Sequence, residues 1–371
     1  MRAVQPSGWA WTRRLFLSCV SLAALAAPES EKGRQFPSGA KRYSDSATEF
    51  PVIRLTDPGY TSTLPAYYSR PVSHHNNFLL FSCDRTESMQ AYRMDLKTAQ
   101  VRLLTDAQHL DPATVTLLPD ERGFCYFDGR ELIESSLSNF RARPVYRLPE
   151  ASERGEGFSI SEDGLYAAFI ERERGTYKLQ LLNMREGTAA TVVQCDEAIG
   201  DPIARPRRAG ILYRRGKDSL WLASHDAQQN YRLKIAAGGL GPALWSPNGR
   251  SVLYLNFPED RTKLHDIREF IPDTNEEHQI APTSQFAHFG CNGNASVFVG
   301  ASASKASPYL LLLLRAVKRE LTLCEHRASD PARVAPIFSP NSQHVYFQSD
   351  RHGKWAIYTM TVDRFVEETN T

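Results

Sequence analysis

The apolar positions of this chain fall in short runs separated by turn residues, and the runs read as strands. Tyr177-Lys178-Leu179-Gln180-Leu181 alternates with period two, which puts one face of a strand inward and one outward. Ser251–Leu255 and Ser296–Val299 are further strand patterns. Tyr309–Leu314 is a continuous apolar run, too short for a membrane helix and predicted as a strand buried on both faces. Val317-Lys318 then turns the chain into a strand over Glu320–Cys324.

The runs recur with a period. Ser161-Glu162-Asp163-Gly164 and Ser246-Pro247-Asn248-Gly249 are turn signals placed just before a strand, and Leu118-Pro119-Asp120-Glu121 and Ser339-Pro340-Asn341-Ser342 are variants. Ser73-His74-His75-Asn76, Arg205-Pro206-Arg207-Arg208 and Cys291-Asn292-Gly293-Asn294 are degenerate copies. With His74, Pro119, Glu162, Pro206, Pro247, Asn292 and Pro340 as equivalents, successive steps are 45, 43, 44, 41, 45 and 48 residues. A period of about 45 with several short strands per unit predicts an all-β fold, a seven-bladed β-propeller of four-stranded blades. Val101-Arg102-Leu103-Leu104-Thr105-Asp106 ends the first repeat, and Val52-Ile53-Arg54-Leu55-Thr56-Asp57 nearly duplicates it with no repeat before it. The last repeat lacks such a strand, so Val52–Thr56 is expected to be the outer strand of the final blade and to close the ring.

Composition narrows the function classes. Lys plus Arg is 44 and Asp plus Glu is 42, a near balance that argues against a nucleic-acid binder. The 22 glycines and 22 prolines favour turns and short strands. Six cysteines with no C-x-x-C pair argue against a zinc site or a disulfide framework, and most are expected as small buried side chains. At the N-terminus, Arg13-Arg14 precede the apolar stretch Leu15–Ala27, and Ala24-Leu25-Ala26 fits a cleavage site. This order predicts a twin-arginine-type signal peptide over residues 1–26 and a periplasmic or secreted protein with no transmembrane span after cleavage. Residues 27–49 are expected as a linker and 50–371 as one propeller. No phosphate-binding loop, H-E-x-x-H or G-x-G-x-x-G occurs, and Gly157-Phe158-Ser159-Ile160-Ser161 fails the nucleophile-elbow pattern at its last position. Chemistry is therefore expected where the inner strands meet around the axis.

The repeats, with turns like Ser246-Pro247-Asn248-Gly249 and strand ends like Phe347-Gln348-Ser349-Asp350-Arg351, resemble the propeller repeats of the periplasmic Tol translocation protein. More specifically, Arg54-Leu55-Thr56-Asp57-Pro58-Gly59-Tyr60, the segment Phe338–Arg351, and His288-Phe289 before Val297-Phe298-Val299-Gly300 resemble the oligogalacturonate lyase family over about 310 residues. That resemblance implies β-elimination on pectin-derived oligogalacturonides, with a His base and a divalent metal, manganese, held by His and Gln side chains at the propeller centre. It implies His288 as a metal ligand, with His326 a second candidate. Two expected sites depart from the pattern: Asp330–Ser339 and Gly241–Ser246 contain no histidine. Arg70, Arg205 and Arg333 lie near inner strands and can clamp uronate carboxylates bidentately. Tyr67, Tyr68 and Trp245 can stack on sugar rings, and His74-His75 sits in a blade turn. Two classes stay open: a lyase acting on acidic oligosaccharides, and a non-catalytic cell-envelope propeller binding a glycan or a protein partner.

Overall fold

In a computed structural model, residues 1–3, 31–260 and 262–369 are described. The expected signal peptide lies almost wholly outside them. Two compact units divide the chain, Met1–Ser30 and Glu31–Thr371, and the second holds every described strand. Among the described residues no helix is long and apolar enough to cross a membrane.

Seven antiparallel sheets follow one another along the chain. Blade 3 shows the unit: Glu153–Ile160 innermost, then Tyr166–Glu173, Thr176–Asn183 and Thr188–Cys195. The other blades repeat this order, so every inner strand runs the same way along the axis and ends in one of the equivalent turns. The predicted strand Tyr309–Leu314 is found with those bounds, second from the outer edge of blade 6.

The apolar faces meet between blades. Seven hydrophobic clusters fill the seven junctions, one per neighbouring pair of blades. At the junction of blades 3 and 4, for example, Ile170 and Leu179 pack on Ile211 and Tyr213. Each blade packs both faces against its neighbours, which is why central strands such as Val252–Phe257 and Tyr309–Leu314 are largely apolar.

Closure matches the expected plan with one change. Pro51–Arg54 pairs with Ala356–Thr361 of blade 7, with Ile53 opposite Thr359 and Arg54 opposite Tyr358. Val52 is fully buried in the cluster between blades 6 and 7. This strand is fourth in the blade but not outermost. Lys41–Ser44 pairs outside it, and Gln35–Phe36 pairs outside Val101–Leu103 of blade 1. Residues 31–49 are therefore not a linker: they extend two neighbouring blades to five strands and bridge the junction where the ring closes. Asp45 anchors the bridge. It is buried, accepts from the Ala47 and Thr48 N–H groups at 3.0 and 3.2 Å, and accepts from Glu325 N–H at 3.1 Å.

The five described cysteines are free, and Cys83, Cys125 and Cys324 are buried. Burial pushes the Cys125 and Cys324 thiols up, away from the thiolate form.

Candidate site on the propeller axis

Inner strands crowd the axis, and most are irregular. Register shifts interrupt blades 3 to 6 at Arg154/Phe158, Gly200/Ile203, Leu240/Ala243 and Phe286/His288. In blades 2 and 7 the inner strand is cut short by a single 3-10 turn, Pro112–Thr114 and Pro331–Val334. Gly157 shows the crowding. Its φ is +94°, and a Cβ there would lie 2.4 Å from Pro202 and 3.0 Å from the Tyr68 hydroxyl. Bulges of this kind re-aim side chains toward the axis.

Tyr67 and Tyr68 come from the gap in blade 1's inner strand, between Ser62–Thr63 and the bridge at Val72. Tyr67 crosses the axis. Its hydroxyl donates to the Ala243 carbonyl of blade 5 at 2.9 Å and accepts from the Ala243 N–H at 3.2 Å. Tyr68 packs edge-on against Tyr67 at 4.9 Å, and the Phe158 backbone hydrogen-bonds its hydroxyl. Desolvation raises both phenols well above their ordinary value, so neither is a ready proton donor or base. Together they plug the channel.

His288 sits behind this plug. It is buried, its ring lies 4.7 Å from the Tyr67 ring, and its Nδ1 has no hydrogen-bond partner among the described residues. Burial pulls it down to about 4, so it is neutral at physiological pH.

His326 does not join His288. It is buried at the junction of blades 6 and 7, where Nε2 bonds the Ser302 carbonyl at 3.0 Å and Nδ1 accepts from the Ala328 N–H at 3.1 Å. Both ring nitrogens are committed, and its role is structural. Among the described residues no group of three or more His, Cys, Asp or Glu side chains could hold a metal ion. The donor set therefore does not fit a manganese centre: one of two candidate imidazoles is spent, and the other faces an aromatic ring.

The three arginines also part company. Arg205 is locked between blades 4 and 5: Nε donates to the Gly249 carbonyl at 2.7 Å, Nη2 pairs with Asp273 at 3.3 Å, and the guanidinium covers Trp245 at 4.7 Å. Trp245 is buried and donates to the Ile203 carbonyl at 3.2 Å, so it belongs to the core more than to a sugar platform. Arg70 lies at the turn end of the axis, donating to the Leu118 carbonyl at 2.8 Å. Arg333 lies before blade 7's inner strand, at the opposite end. It is exposed, stacked 4.4 Å over Trp355, and paired with no acid among the described residues.

Charged groups that the sequence pattern did not single out gather at the strand-start end. Arg154 of blade 3 pairs with Asp111 of blade 2. Arg214 spends its donors on the Lys217, Leu240 and Gly241 carbonyls at 2.9, 3.1 and 2.7 Å, beside Asp201 at 3.4 Å. Glu156 is exposed in the blade 3 bulge and acts electrostatically on Arg154, Tyr67 and Tyr68. Their signal was available: Arg154 and Glu156 are charges inside a strand that faces the axis.

At the turn end a funnel of about 870 Å³ opens, with Tyr67 and Tyr68 among its lining residues. All seven equivalent turn positions line it.

No family model matches the chain. Among curated proteins, the oligogalacturonate lyase of Dickeya dadantii (strain 3937) and the oligogalacturonide lyase of Pectobacterium atrosepticum are each 22% identical to it over 381 residues, covering 89% of this chain and 98% of theirs. Among solved structures, an oligogalacturonate lyase in complex with manganese superposes with a TM-score of 0.85 at 23% identity, covering 90% of this chain and 98% of the other. An oligogalacturonate lyase from Vibrio parahaemolyticus gives 0.84 at 23% identity, covering 89% and 98%. Along nearly its whole propeller, then, the chain resembles oligogalacturonate lyases in sequence and has their seven-bladed fold.

Proposed function

We propose that this chain is a lyase-like propeller, exported from the cytoplasm, that binds acidic oligosaccharides such as pectin-derived oligogalacturonides without cleaving them by metal-assisted elimination. The observation that carries this reading is His288, walled off by Tyr67 and outside any metal-binding group among the described residues. Abstraction of the C5 proton of a uronate needs a base in reach and cationic stabilisation of the adjacent carboxylate. His288 and His326 supply neither. Binding needs less. The exposed Arg333 guanidinium on Trp355 offers a bidentate carboxylate partner beside an aromatic face. The similarity to oligogalacturonate lyases supports the substrate class. Arg13-Arg14 before a short apolar run supports export.

A second reading, elimination without metal, is favoured by one observation: the exposed Glu156 carboxylate stands near Arg154 and Tyr68, a base and a cation at one end of the axis. One experiment separates the two. Trigalacturonate is titrated calorimetrically, and release of unsaturated product is followed by absorbance with manganese or with chelator. Binding without product supports the proposal. Product that survives chelation and disappears in Glu156→Gln establishes the second reading. Absence of binding removes both and leaves a protein-binding envelope propeller. Replacing Arg13 and Arg14 by Lys should trap the protein inside the cell; unchanged fractionation would remove the twin-arginine assignment.

A further inference from the structure

The funnel at the turn end lies across the tyrosine plug from Arg333, and its chemistry is of another kind. Its mouth is built from one repeat position in all seven blades, and four of the seven residues are prolines: Pro119, Pro206, Pro247 and Pro340. Proline carries no N–H, so these positions add no backbone donor. Three of the donors nearby are already committed. The His74 N–H donates to Glu121 at 2.5 Å, the Arg207 N–H to Glu162 at 3.0 Å, and Arg70 Nη2 to the Leu118 carbonyl at 2.8 Å.

Acceptors remain. Asp120, Glu121 and Glu162 line the mouth, and all three carboxylates act on the Arg70 guanidinium. Arg207 ion-pairs Glu162 at 3.8 Å on the outer lip. Asp120 accepts Arg122 N–H through Oδ1 and Glu121 accepts through Oε1, which leaves Oδ2 and Oε2 without a protein donor among the described residues. Deeper in, the wall is mostly apolar, with Leu117, Ile160, Ile203 and Leu244, interrupted by the hydroxyls of Ser69, Thr116 and Ser159. The cavity lies in the size range of ligand sites.

A mouth with three carboxylates against one lining guanidinium, over a mostly apolar bore, selects the opposite pattern: a donor-rich cation on an apolar stem. We propose that the turn-end funnel is a second binding site, for an organic ammonium or guanidinium group carried on an apolar stem. The stem enters the bore, and the cation stays at the mouth against Asp120, Glu121 and Glu162. This site does not rest on the proposed uronate binding, and its polarity is the reverse of what a uronate requires.

Two probes with the same head group test it by titration calorimetry against the full-length protein: agmatine, a small guanidinium, and the tripeptide Leu-Arg-Leu. Saturable binding of either probe, weakened by added salt, is expected. Glu121→Gln and Glu162→Gln, which keep their acceptor oxygens, should each weaken it about 3- to 5-fold, the scale of a part-exposed charge pair. Arg70→Gln should strengthen it by a similar factor, because it removes the competing cation. Binding of agmatine alone would make the ligand a small cation; binding of the tripeptide alone would make it a peptide side chain, and both keep the proposal. Failure of both probes to saturate, binding indifferent to the two glutamates, weaker binding in Arg70→Gln, or competition by trigalacturonate would each overturn it. Melting curves of the variants report whether the turn latches survive, and a variant that does not melt like the parent is replaced by the high-salt arm.

Discussion

The two ends of the axis are lined by the two ends of the same seven inner strands, yet they have opposite chemistry. At the strand-start end, bulges and 3-10 turns bring Arg154, Asp111, Arg214 and Asp201 together, and most of their bonding capacity is spent between neighbouring elements. Arg333 is the exposed exception. At the turn end the same strands finish in repeated turns, and repetition leaves an open funnel edged with prolines and carboxylates. Irregularity builds the filled end and regularity the open one. Tyr67 separates them through two hydrogen bonds to one residue, Ala243.

The largest expected effect destroys both ends together. A chain beginning at Ser73 lacks the strand that completes blade 7, which leaves an open edge and uncovers the cluster around Val52. At about 1 kcal/mol per lost hydrogen bond and about 25 cal/mol per Å² of apolar burial, the loss is several kcal/mol, a large part of a domain's usual ~5–15. It should aggregate. A chain beginning at Ser46 keeps closure but loses Lys41–Ser44 and Asp45, and it should fold with a lower melting temperature. Equal melting of this chain and one beginning at Glu31 would show that the outer strands add nothing.

Removing the partition comes next. Tyr67→Ala should cost roughly 2–4 kcal/mol for a large, partly buried ring and join the funnel to the strand-start end. His288, then wetted, should titrate nearer the ordinary value of about 6.5. An NMR titration that still places it near 4 would show that other residues seal it.

The pH dependence isolates His288 itself. Its depressed value means that the unfolded chain takes up a proton near pH 6.5, whereas the folded chain resists protonation down to about 4. Stability is therefore complete above about pH 6.5 and falls as the pH drops toward 4, by about 3 kcal/mol. His288→Asn should lack that component. Parallel acid-unfolding curves for the two proteins would contradict the sealed imidazole.

The smallest effect sharpens the contrast. Arg333→Gln should weaken trigalacturonate binding about 5-fold, the scale of one exposed charge contact. Glu121→Gln, at the other end, should leave it unchanged. Equal losses in both variants would mean that one ligand spans the axis.

Much of the fold was legible in the chain. The turn at Ser246–Gly249 and its copies marked the blades because such turns use local chemistry that survives in each repeat. Val52–Thr56 could be matched to blade 7, where the strand is observed over Pro51–Arg54, because a closed ring needs a partner strand there. Residues 31–49 were misread because Gln35–Phe36 and Lys41–Ser44 are very short and carry only one apolar or aromatic side chain each, Phe36 and Tyr43, too few to show a strand period. They cover strand edges through backbone hydrogen bonds, which leave almost no trace in side-chain pattern.

Of the site, the sequence by itself determined which donors exist: no histidine in Asp330–Ser339 or Gly241–Ser246, and therefore no full set of metal ligands at those strands. Only the tertiary structure decided where the remaining groups point. His288 and His326 are 38 positions apart, and nothing local says that the first meets Tyr67 of blade 1 while the second meets Ser302 and Ala328. Arg70, Arg205 and Arg333 looked alike as residues near inner strands, yet they finish at the turn end, inside a blade junction and at the strand-start end. Periodic local patterns repeat blade by blade and can be read one blade at a time. Contacts across the axis join residues far apart in the chain, such as Tyr67 and Ala243, and these exist only once the ring has closed.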